Sequence, residues 1–348
     1  MTLPRRNGTV SQLSSIEGDA RTVSIRTTAG MPLLMNESSN TRQAIQRIGQ
    51  SFGDYTFYHV LAEGGMGIIL EAEHKVIRRK VALKIVSPKY AARNGYSTEL
   101  IDTFMHEARV LGAIDHPNVI TLYDAGLVGQ CPFMAMRLVG GGDLGTRVAN
   151  YGPLSDELAL RIMRDLAAGV NAMHLAGFIH RDIKPANVLL EANGTPRLSD
   201  FGLAVTLGET VNGMIIAGTP SYLAPEQISG SPLDERTDVY ALGATIFFAI
   251  TGQPPFVGST PEETIQLVRD ATKPPTARFL RPNINKHLSM IIRRAMTRDP
   301  EKRYKDASEI EHDCRAVLDG NEPEYAHIGQ KKRKTFFGAI VSRARTVF

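Results

Sequence analysis

The chain has 348 residues, 43% of them hydrophobic and 22% charged, which is enough apolar material for a sizeable core and about two domains. A net charge of +4 is too small over this length to indicate a nucleic-acid partner for the whole chain. Because no run approaches the ~18 apolar residues of a membrane-spanning helix, and the N-terminus lacks the apolar centre of a secretory signal, the composition predicts a folded cytoplasmic protein.

Residues 1–50 differ in composition from the rest of the chain. They are rich in Ser, Thr, Asn and Arg and show little sustained periodicity, so we expect them to bury too little apolar surface to offset the entropy of ordering. Within this segment Ala44, Ile45 and Ile48 share one helical face, which predicts a short docked helix. The first fifty residues are therefore predicted to form a mostly flexible N-terminal arm.

Residues 55–138 are predicted to form a small sheet-rich lobe. Short β-prone runs, broken by Gly and polar residues, are typical of consecutive antiparallel strands: YTFYHVLAE, IILEAEH, KVALKIVS, VITLYDAGLV and PFMAMRLV. Before the fourth run, ELIDTFMHEARVLGAI places its apolar residues on one face, which predicts an amphipathic helix. The lobe is thus expected to be a small antiparallel sheet with one helix.

Residues 139–315 are predicted to form a larger, mainly helical lobe, joined to the first through the Gly-rich stretch GGGDL. Its main helical runs are DELALRIMRDLAAGVNAMHLAG, DVYALGATIFFAITG and KHLSMIIRRAM. The predicted fold class is therefore α+β with two lobes, and a cleft between lobes is a common ligand site.

Residues 316–348 are assigned to a basic C-terminal tail. Its end, KKRKTFFGAIVSRARTVF (residues 331–348), carries six basic residues and no acidic one, with aromatic and aliphatic side chains among the cations. This composition suits weak contact with an anionic membrane surface or an acidic partner, although a solvated tail has the same features. A further hypothesis, binding of nucleic acid through KKRK, is not required by the other motifs, and no specific nucleic acid is expected.

A glycine-rich loop lies between the first two predicted strands. Glycines 64, 65 and 67 in LAEGGMGII allow backbone amides to approach phosphate oxygens, although many hairpins contain several glycines. In the later run VALK, strand alternation puts Ala82 and Lys84 on one face, where Ala82 leaves room for a flat ring and Lys84 places a charge near phosphates. Glu107, on the predicted helix, is the carboxylate that a buried Lys84 needs.

Two polar stretches carry the chemistry of the large lobe. In IHRDIKPANVLL, Asp182 can accept a proton from an attacking hydroxyl, Lys184 can lie near a transferring phosphate, and Asn187 can offer oxygen to a hard cation. Thirteen residues later, SDFGLA offers Asp200 as a second ligand for Mg²⁺. Two oxygen ligands together with phosphates suit Mg²⁺, which rarely takes a full cage of protein ligands.

Here the sequence resembles the eukaryotic-type Ser/Thr protein kinases, and in the style of its motifs their bacterial members. The resemblance rests on HRD with Asn187 and on DFG, and it covers about residues 55–315. Further stretches fit in the family's order: VALK with Glu107, HPNVITLYDAG, GTPSYLAPE, DVYALG and TRDPEKRY. It implies the two-lobed protein kinase fold, with an N-lobe over residues 55–138 and a C-lobe over residues 139–315.

The resemblance also implies roles for individual residues. Asp182 and Lys184 would act on the substrate hydroxyl and the phosphate, Lys84 would pair with Glu107 and contact ATP, and Asn187 and Asp200 would hold Mg²⁺. The residues implied in nucleotide binding are Leu61, Ala62, Glu63, Gly64, Gly65, Met66, Gly67, Ile68, Ile69, Ala82, Lys84, Met136, Arg137 and Val139. The expected function is transfer of the γ-phosphate of ATP to Ser/Thr hydroxyls of protein substrates, with autophosphorylation.

Supporting residues follow from the same resemblance. Glu226 and Arg303 are expected to form a buried pair that anchors the end of the activation segment, and Asp238 is expected to bind the backbone of the catalytic loop. Lys184, together with Thr219 in GTPSYLAPE, resembles the Ser/Thr branch of the family.

Three departures from the family pattern are visible. Ala62 replaces the usual first glycine of the loop, and Arg137 stands where Glu is common at the hinge. No Lys or Arg lies between positions 201 and 222, so a phosphate on Thr206 or Thr210 would rely mainly on Arg181. The alternative is a nucleotide-binding pseudokinase that serves as a scaffold, while substrates and oligomeric state stay open.

Overall fold

The computed structural model describes residues 51–64, 66–206 and 219–327, together with the backbone of two strands nearer the N-terminus. These strands, β1 (Thr22–Arg26) and β2 (Pro32–Asn36), pair as an antiparallel hairpin inside the segment predicted to be a flexible arm. The short helix predicted at residues 44–48 and the basic segment 331–348 lie outside the described residues.

The small lobe is built on one antiparallel sheet, as predicted. In the part of the chain that the structure describes, its strands lie in the order β3-β4-β5-β6-β8-β7. Their bounds are β3 (Ser51–Phe52), β4 (Tyr55–Glu63), β5 (Gly67–His74), β6 (Lys80–Val86), β7 (Leu122–Val128) and β8 (Cys131–Arg137). Burial alternates along β5 and β6, so one face of each strand packs in the core and the other faces the cleft.

Two helices, and not one, follow the third long strand. The predicted amphipathic helix is α2 (Thr98–Gly112), which begins where the Ser97 hydroxyl accepts a hydrogen bond from the Leu100 amide. The unpredicted α1 (Pro88–Asn94) has proline in its first turn and buries none of its residues. Because only the partly buried Tyr90 and Ala91 of α1 pack against the core, the helix is too short and too polar for hydrophobic periodicity to indicate it.

The large lobe is mainly helical, as predicted. Its helices are α3 (Leu144–Tyr151), α4 (Asp156–Leu175), α5 (Pro225–Ser229), α6 (Glu235–Thr251), α7 (Pro261–Asp270), α8 (Ala277–Leu280), α9 (Lys286–Ala295) and α10 (Ala307–Leu318). Apolar residues lie all around α6 and nearly all are buried, so α6 forms the centre of the lobe, packed against α4 and α9. None of the helices in the described part of the chain is long and apolar enough to span a bilayer.

Short strand pairs shape the edge of the large lobe that faces the small lobe. β9 (Phe178–Ile179) pairs with β12 (Val205–Thr206), and β10 (Val188–Leu190) pairs with β11 (Pro196–Leu198). The loop that follows β9 and the loop between β11 and β12 contain the HRD and DFG motifs. These small sheets therefore position the predicted chemistry at the cleft.

The packed domain extends past the predicted boundary at residue 315. Helix α10 continues to Leu318, and Ala326 is fully buried. The buried carboxylate of Asp313 accepts hydrogen bonds from the amides of Glu324 and Tyr325. Residues 316–327, which the sequence assigned to the tail, thus pack on the large lobe.

Candidate active site

Lys84 joins the sheet of the small lobe to helix α2. Its Nζ donates to both carboxylate oxygens of Glu107, at 2.7 and 2.8 Å, and lies 3.6 Å from Oδ1 of Asp200. Burial lowers the pKa of Lys84, but the carboxylates of Glu107 and Asp200 outweigh this effect and leave the pKa above its ordinary value. The amine is therefore charged, and it is held largely buried between Glu107 and Asp200.

The loop that contains the HRD motif, which the family resemblance implies is the catalytic loop, is held by a single buried carboxylate. On α6, fully buried Asp238 accepts hydrogen bonds from the backbone amides of His180 and Arg181, both at 2.8 Å. Its Oδ2 also contacts Nε2 of His174 at 2.8 Å. Arg181 has a φ of 69°, a conformation that costs a side-chain-bearing residue energy and persists because its surroundings hold it.

Asp182 lies at the centre of a small polar cluster. Its Oδ2 accepts hydrogen bonds from Nζ of Lys184 at 2.7 Å and from Nδ2 of Asn187 at 3.0 Å. The same Asn187 nitrogen donates to the Asp182 carbonyl at 2.8 Å. Because both hydrogens of the Asn187 side-chain amide are used, its side-chain oxygen Oδ1 is the atom left to act as a ligand.

Asp200 is presented to the cleft by strained backbone. Its φ is 64°, and its side chain is 52% exposed. The preceding residue, Ser199, links Asp200 to Asn187: its backbone amide and its hydroxyl both donate to the backbone carbonyl of Asn187, at 2.9 and 3.0 Å. After Asp200, fully buried Phe201 packs against the ring of His180, with centroids 4.7 Å apart.

The Asn187 and Asp200 side chains fit a hard divalent cation. An amide oxygen and a carboxylate are the ligand types that Mg²⁺ takes from proteins, with phosphates and water completing its shell. In the described ranges no cluster of three His, Cys, Asp or Glu side chains forms a self-sufficient metal cage. This donor set suits a metal that arrives with a phosphorylated ligand.

The glycine loop belongs to the small lobe, where it joins β4 to β5. A tight turn is made where the amide of Gly64 donates to the carbonyl of Gly67 at 2.8 Å. Met66 is exposed at the tip, and Gly65 lies outside the described residues. The end of β4, which contains Leu61, Ala62 and Glu63, enters this turn, and the pairing register with β5 shifts between Val60 and Ala62.

The cleft-facing side of the sheet is defined by cross-strand pairs. Lys84 lies opposite Ile69 on β5, and Ala82 lies opposite Met136 on β8. Because directly paired residues share a face, these four side chains point the same way. Ile68, in contrast, is 1% exposed and lies on the other face, because alternation along β5 turns its side chain into the core; its assignment to nucleotide binding stays a prediction.

The hinge between the lobes runs from Arg137 to half-buried Val139. The Arg137 side chain is engaged by the large lobe, since its Nε donates to Oε1 of Glu191 at 2.7 Å. Glu191 accepts a second hydrogen bond from Nε of Arg197 at 2.6 Å. Arg137, which departs from the family pattern at the hinge, thus has a partner in the large lobe, Glu191, that sequence reasoning missed.

The segment between the DFG motif and Glu226, which the family resemblance implies is the activation segment, is described up to Thr206 and from Thr219. The Arg303 guanidinium makes a two-pronged pair with the Glu226 carboxylate, at 2.6 and 2.7 Å, as expected for its anchor. Thr219 lies at the start of the described end, Thr206 belongs to the backbone pair β9–β12, and Thr210 lies outside the described residues. Arg181 is the residue on which a phosphate at Thr206 or Thr210 would mainly rely, and burial lowers the pKa of its guanidinium.

Two other supporting residues escaped the sequence analysis. His174, on α4, contacts the Asp238 carboxylate, and Gln227, on α5, donates to the carbonyl of Arg181 at 2.9 Å. A histidine among the apolar positions at the end of a helix is the signal that could have indicated the first. Gln227 has no such signal, since its partner is 46 residues away in sequence.

Comparison with known proteins agrees with this geometry. The family model described as "Protein kinase domain" matches residues 55–314. The serine/threonine-protein kinase PknB of Mycolicibacterium smegmatis is 32% identical over 279 residues, which cover 78% of this chain and 44% of that protein. PrkC of Bacillus subtilis, with the same description, is 33% identical over 271 residues, 77% of this chain and 41% of that protein.

PknE of Mycobacterium bovis, also named a serine/threonine-protein kinase, is 33% identical over 283 residues, 79% of this chain and 48% of that protein. The chain therefore spans less than half the length of these relatives. The match covers both lobes and every motif described above. The predictions of the family and of the two-lobed fold are confirmed: the chain belongs to the protein kinase family and resembles its bacterial serine/threonine-protein kinases.

Proposed function

We propose that the chain is an ATP- and Mg²⁺-dependent protein serine/threonine kinase that also phosphorylates itself. The observation that carries this proposal is the convergence of Lys84, Asp182, Asn187 and Asp200 on one cleft. Lys84 lies 3.6 Å from Asp200, and Asn187 contacts both Asp182 and the residue before Asp200. Groups from two lobes and separate stretches of sequence thus meet where a nucleotide would lie.

The nucleotide would bind between the sheet and the hinge. Ala82, Ile69 and Met136 offer an apolar wall for the adenine ring, and the hinge backbone up to Val139 offers hydrogen-bonding groups for its edge. The charged Lys84 would contact the phosphates. Asn187 and Asp200 would hold Mg²⁺, and the chemistry that a bound Mg²⁺ supplies is neutralisation of charge on the phosphate oxygens.

Phosphoryl transfer needs one proton acceptor, and Asp182 is placed to be it. Because its Oδ2 already accepts from Lys184 and Asn187, Oδ1 is the oxygen that takes the proton of the substrate hydroxyl. The hydroxyl oxygen forms a bond to the γ-phosphorus as the bond to the β-phosphate oxygen breaks, and ADP leaves. Lys184 would stabilise charge on the phosphoryl group during transfer.

Protein substrates with Ser or Thr acceptors follow from the kind of kinase the chain resembles. Lys184 beside Asp182 is the feature of the site that favours Ser and Thr hydroxyls as acceptors. The names of PknB and PrkC, both serine/threonine-protein kinases, agree with such acceptors. The pseudokinase alternative has Ala62 as its main support. The intact Lys84–Glu107 pair favours an active enzyme instead.

Substitution of Asp182 by Asn tests the proposal. The change keeps the size of the side chain and removes the proton acceptor, so we expect transfer from labelled ATP to the chain itself and to a generic basic protein to fall by at least ~1,000-fold. Nucleotide binding should change little, because Asp182 is not expected to contact the adenine or to hold the metal.

A wild-type chain that bound Mg²⁺-ATP normally yet transferred no phosphate to any acceptor, under varied metals, would support the scaffold alternative. A wild-type chain that bound no nucleotide would contradict both. Equal activity of the wild type and the Asp182→Asn variant would show that another group accepts the proton.

We also propose that the segment 331–348 binds anionic membrane surfaces, which would place the kinase domain at the membrane. The support is its composition, six cations interspersed with aromatic and aliphatic residues.

A further inference from the structure

Two segments at the junction of the lobes both pack on the same hairpin of the large lobe, β10–β11. The first, residues 118–121 of the small lobe, leads into β7 and runs beside β11: Leu198 donates to the Asn118 carbonyl at 2.8 Å and accepts from the Ile120 amide at 2.9 Å. The Asn118 side chain also donates to the carbonyl of Pro196. The second is the hinge, which joins the lobes, and the residues just after it lie against β10.

Just after the hinge, the backbone of the chain comes very close to the backbone of β10. Gly141 donates to the Leu190 carbonyl at 2.9 Å, and Leu190 donates to the Gly142 carbonyl at 2.8 Å. A Cβ atom on Gly141 would lie 2.3 Å from the Leu190 carbonyl oxygen, so only glycine permits this distance. The chain just after the hinge is therefore fixed to the hairpin by its backbone, and the hinge itself by side chains.

The side-chain contact is an ion cluster of Arg137, Glu191 and Arg197, which we call the hinge clamp. Glu191 Oε1 accepts from the hinge residue Arg137 and from Arg197 on the opposite strand. Arg197 in turn donates through Nη1 to the Val119 carbonyl, at 3.1 Å, in the segment 118–121. One carboxylate thus links the hinge and the segment 118–121 to the turn end of the hairpin.

Burial and charge favour an ordered cluster. The side chains of Glu191 and Arg197 are 17% and 11% exposed, whereas Arg137 is 41% exposed. Burial would raise the pKa of Glu191, but hydrogen bonds from Arg137 and Arg197 outweigh it and hold the pKa below its ordinary value. Glu191 is therefore ionised at neutral pH.

The opposite end of the same hairpin carries the metal-ligand candidates. Asn187 directly precedes β10, and Asp200 follows β11 by two residues. The hairpin is short, so its two ends lie roughly 13 Å apart at the rise of an extended strand. A nucleotide that binds the hinge through its base and Asn187 and Asp200 through its phosphates and metal spans this unit.

We propose that Glu191 is a positioning residue for the nucleotide: through the hinge clamp it holds the adenine-binding backbone and the metal-binding side chains at a fixed separation. This inference rests on the proposed function. Loss of the clamp would leave each half of the site intact but less well aligned with the other. Ligands that occupy both halves should weaken, and a ligand that occupies only the hinge should not.

The test compares Mg²⁺-ADP with adenosine, using calorimetric titration of the full chain. Arg137→Met keeps much of the side chain's apolar stem, and Glu191→Gln keeps shape. For each we expect Mg²⁺-ADP to bind about fivefold more weakly and adenosine to change less than about twofold, with the double variant no worse than either single one. Arg137→Lys, which keeps one donor for Glu191, should recover part of the loss.

Arg161→Met is the matched control, because Arg161 makes an exposed ion pair with Glu157 on the surface of α4, remote from the cleft. It should leave both affinities unchanged. Equal weakening of adenosine and Mg²⁺-ADP in the clamp variants would assign Arg137 to the rim of the pocket and overturn the proposal. So would unchanged binding of both ligands.

A second measurement needs no nucleotide. Hydrogen exchange of the Gly141 and Leu190 amides should become about tenfold faster in Arg137→Met and in Glu191→Gln, but not in Arg161→Met. Unchanged exchange at these two amides would overturn the clamp even if the chain proved to be an active kinase. If exchange at these amides became faster in the clamp variants but the wild-type chain bound no Mg²⁺-ADP, the clamp contact would stand and the proposed function would be contradicted.

Discussion

Lys84 contacts carboxylates from two different parts of the molecule, so its substitution has a chemical and a structural effect at once. Lys84→Met removes the charge that would contact phosphates, and we expect the rate of phosphoryl transfer to fall by at least ~100-fold. It also leaves Glu107, which is 5% exposed, without its ammonium partner, at a cost of about 3 kcal/mol in the free energy of unfolding. Initial rates and denaturant titration measure the two effects.

Lys80→Met is the control on the same strand. Lys80 is half exposed and pairs with Glu71 at 3.2 Å at the surface, so its loss should cost less than ~0.5 kcal/mol and leave the rate unchanged. Because the pKa of Lys84 is raised, its stabilising pair is complete below the ordinary lysine pKa and is lost only as the pH rises through the higher folded value. Equal effects of the two variants at neutral pH would contradict the special position of Lys84.

Helix α6 supports the catalytic loop through Asp238, and this support depends on the charge of the carboxylate. Burial alone would raise the pKa of Asp238, but the hydrogen bond from His174, together with His180, outweighs it and keeps the pKa below its ordinary value. A group with a lowered pKa stabilises the fold above its unfolded pKa, and that contribution disappears as the pH falls through the folded value.

Asp238→Asn should therefore destabilise the protein near neutral pH and flatten its response to acid. We expect the free energy of unfolding to fall by about 3 kcal/mol at pH 7, because an amide cannot accept all three hydrogen bonds. The difference from the wild type should shrink below about pH 4, as the wild-type carboxylate becomes protonated. Denaturant titrations across pH measure this, and parallel curves for the two proteins would contradict it.

Helix α5 is anchored by a guanidinium with every N–H group engaged. Nη1 and Nη2 of Arg303 donate to the Glu226 carboxylate, and the remaining donors reach the carbonyls of Arg236, Thr297 and Arg298. Lysine has three donors and no planar fork, so it cannot replace this pattern. The end of the activation segment therefore depends on arginine at this position.

Arg303→Lys should cost about 3 kcal/mol in the free energy of unfolding, almost as much as Arg303→Met. The neighbouring Arg298→Lys is the matched control, since the exposed Arg298 guanidinium donates to the Ala271 carbonyl at 3.2 Å, and we expect a change below ~0.5 kcal/mol. Thermal and denaturant unfolding measure both. An Arg303→Lys variant as stable as the wild type would show that charge alone anchors the helix.

At the scale of the whole molecule, the proposed membrane contact of residues 331–348 can be separated from the kinase domain. The full chain should sediment with vesicles that contain anionic lipid and stay in solution with neutral vesicles, because attraction of six cations needs surface charge. A chain that ends at residue 330 should stay in solution with both, and added salt should weaken sedimentation of the full chain. Equal sedimentation of the full chain with both kinds of vesicle would remove the electrostatic contact.

Local patterns account for most of what could be predicted. The HRD and DFG motifs indicated Asp182, Asn187 and Asp200 as candidates, and helical periodicity located α2 and α4 to within a few residues. Strand alternation placed Ala82 and Lys84 on one face, and the same rule applied to β5 would have placed Ile68 in the core.

Contacts between distant parts of the chain could not be predicted in this way. Arg137 and Glu191 are 54 residues apart, and nothing local to either position indicates the other. Helix α1 has no buried face, and packing of residues 316–327 depends on the Asp313 carboxylate, which looks in sequence like an ordinary helical surface residue. In each case the determining partner lies in another element.

The left-handed backbone at Arg181 and Asp200 has a consequence for evolution under heat. Each costs about 1–2 kcal/mol that glycine would not, because glycine has no Cβ atom to clash in this region. Selection of variants for thermal tolerance alone would therefore enrich glycine at 181 and 200. The survivors would have given up the side chain beside the proposed proton acceptor and one of the two metal-ligand candidates, so we expect heat resistance to come at the expense of the proposed phosphoryl transfer at these two positions.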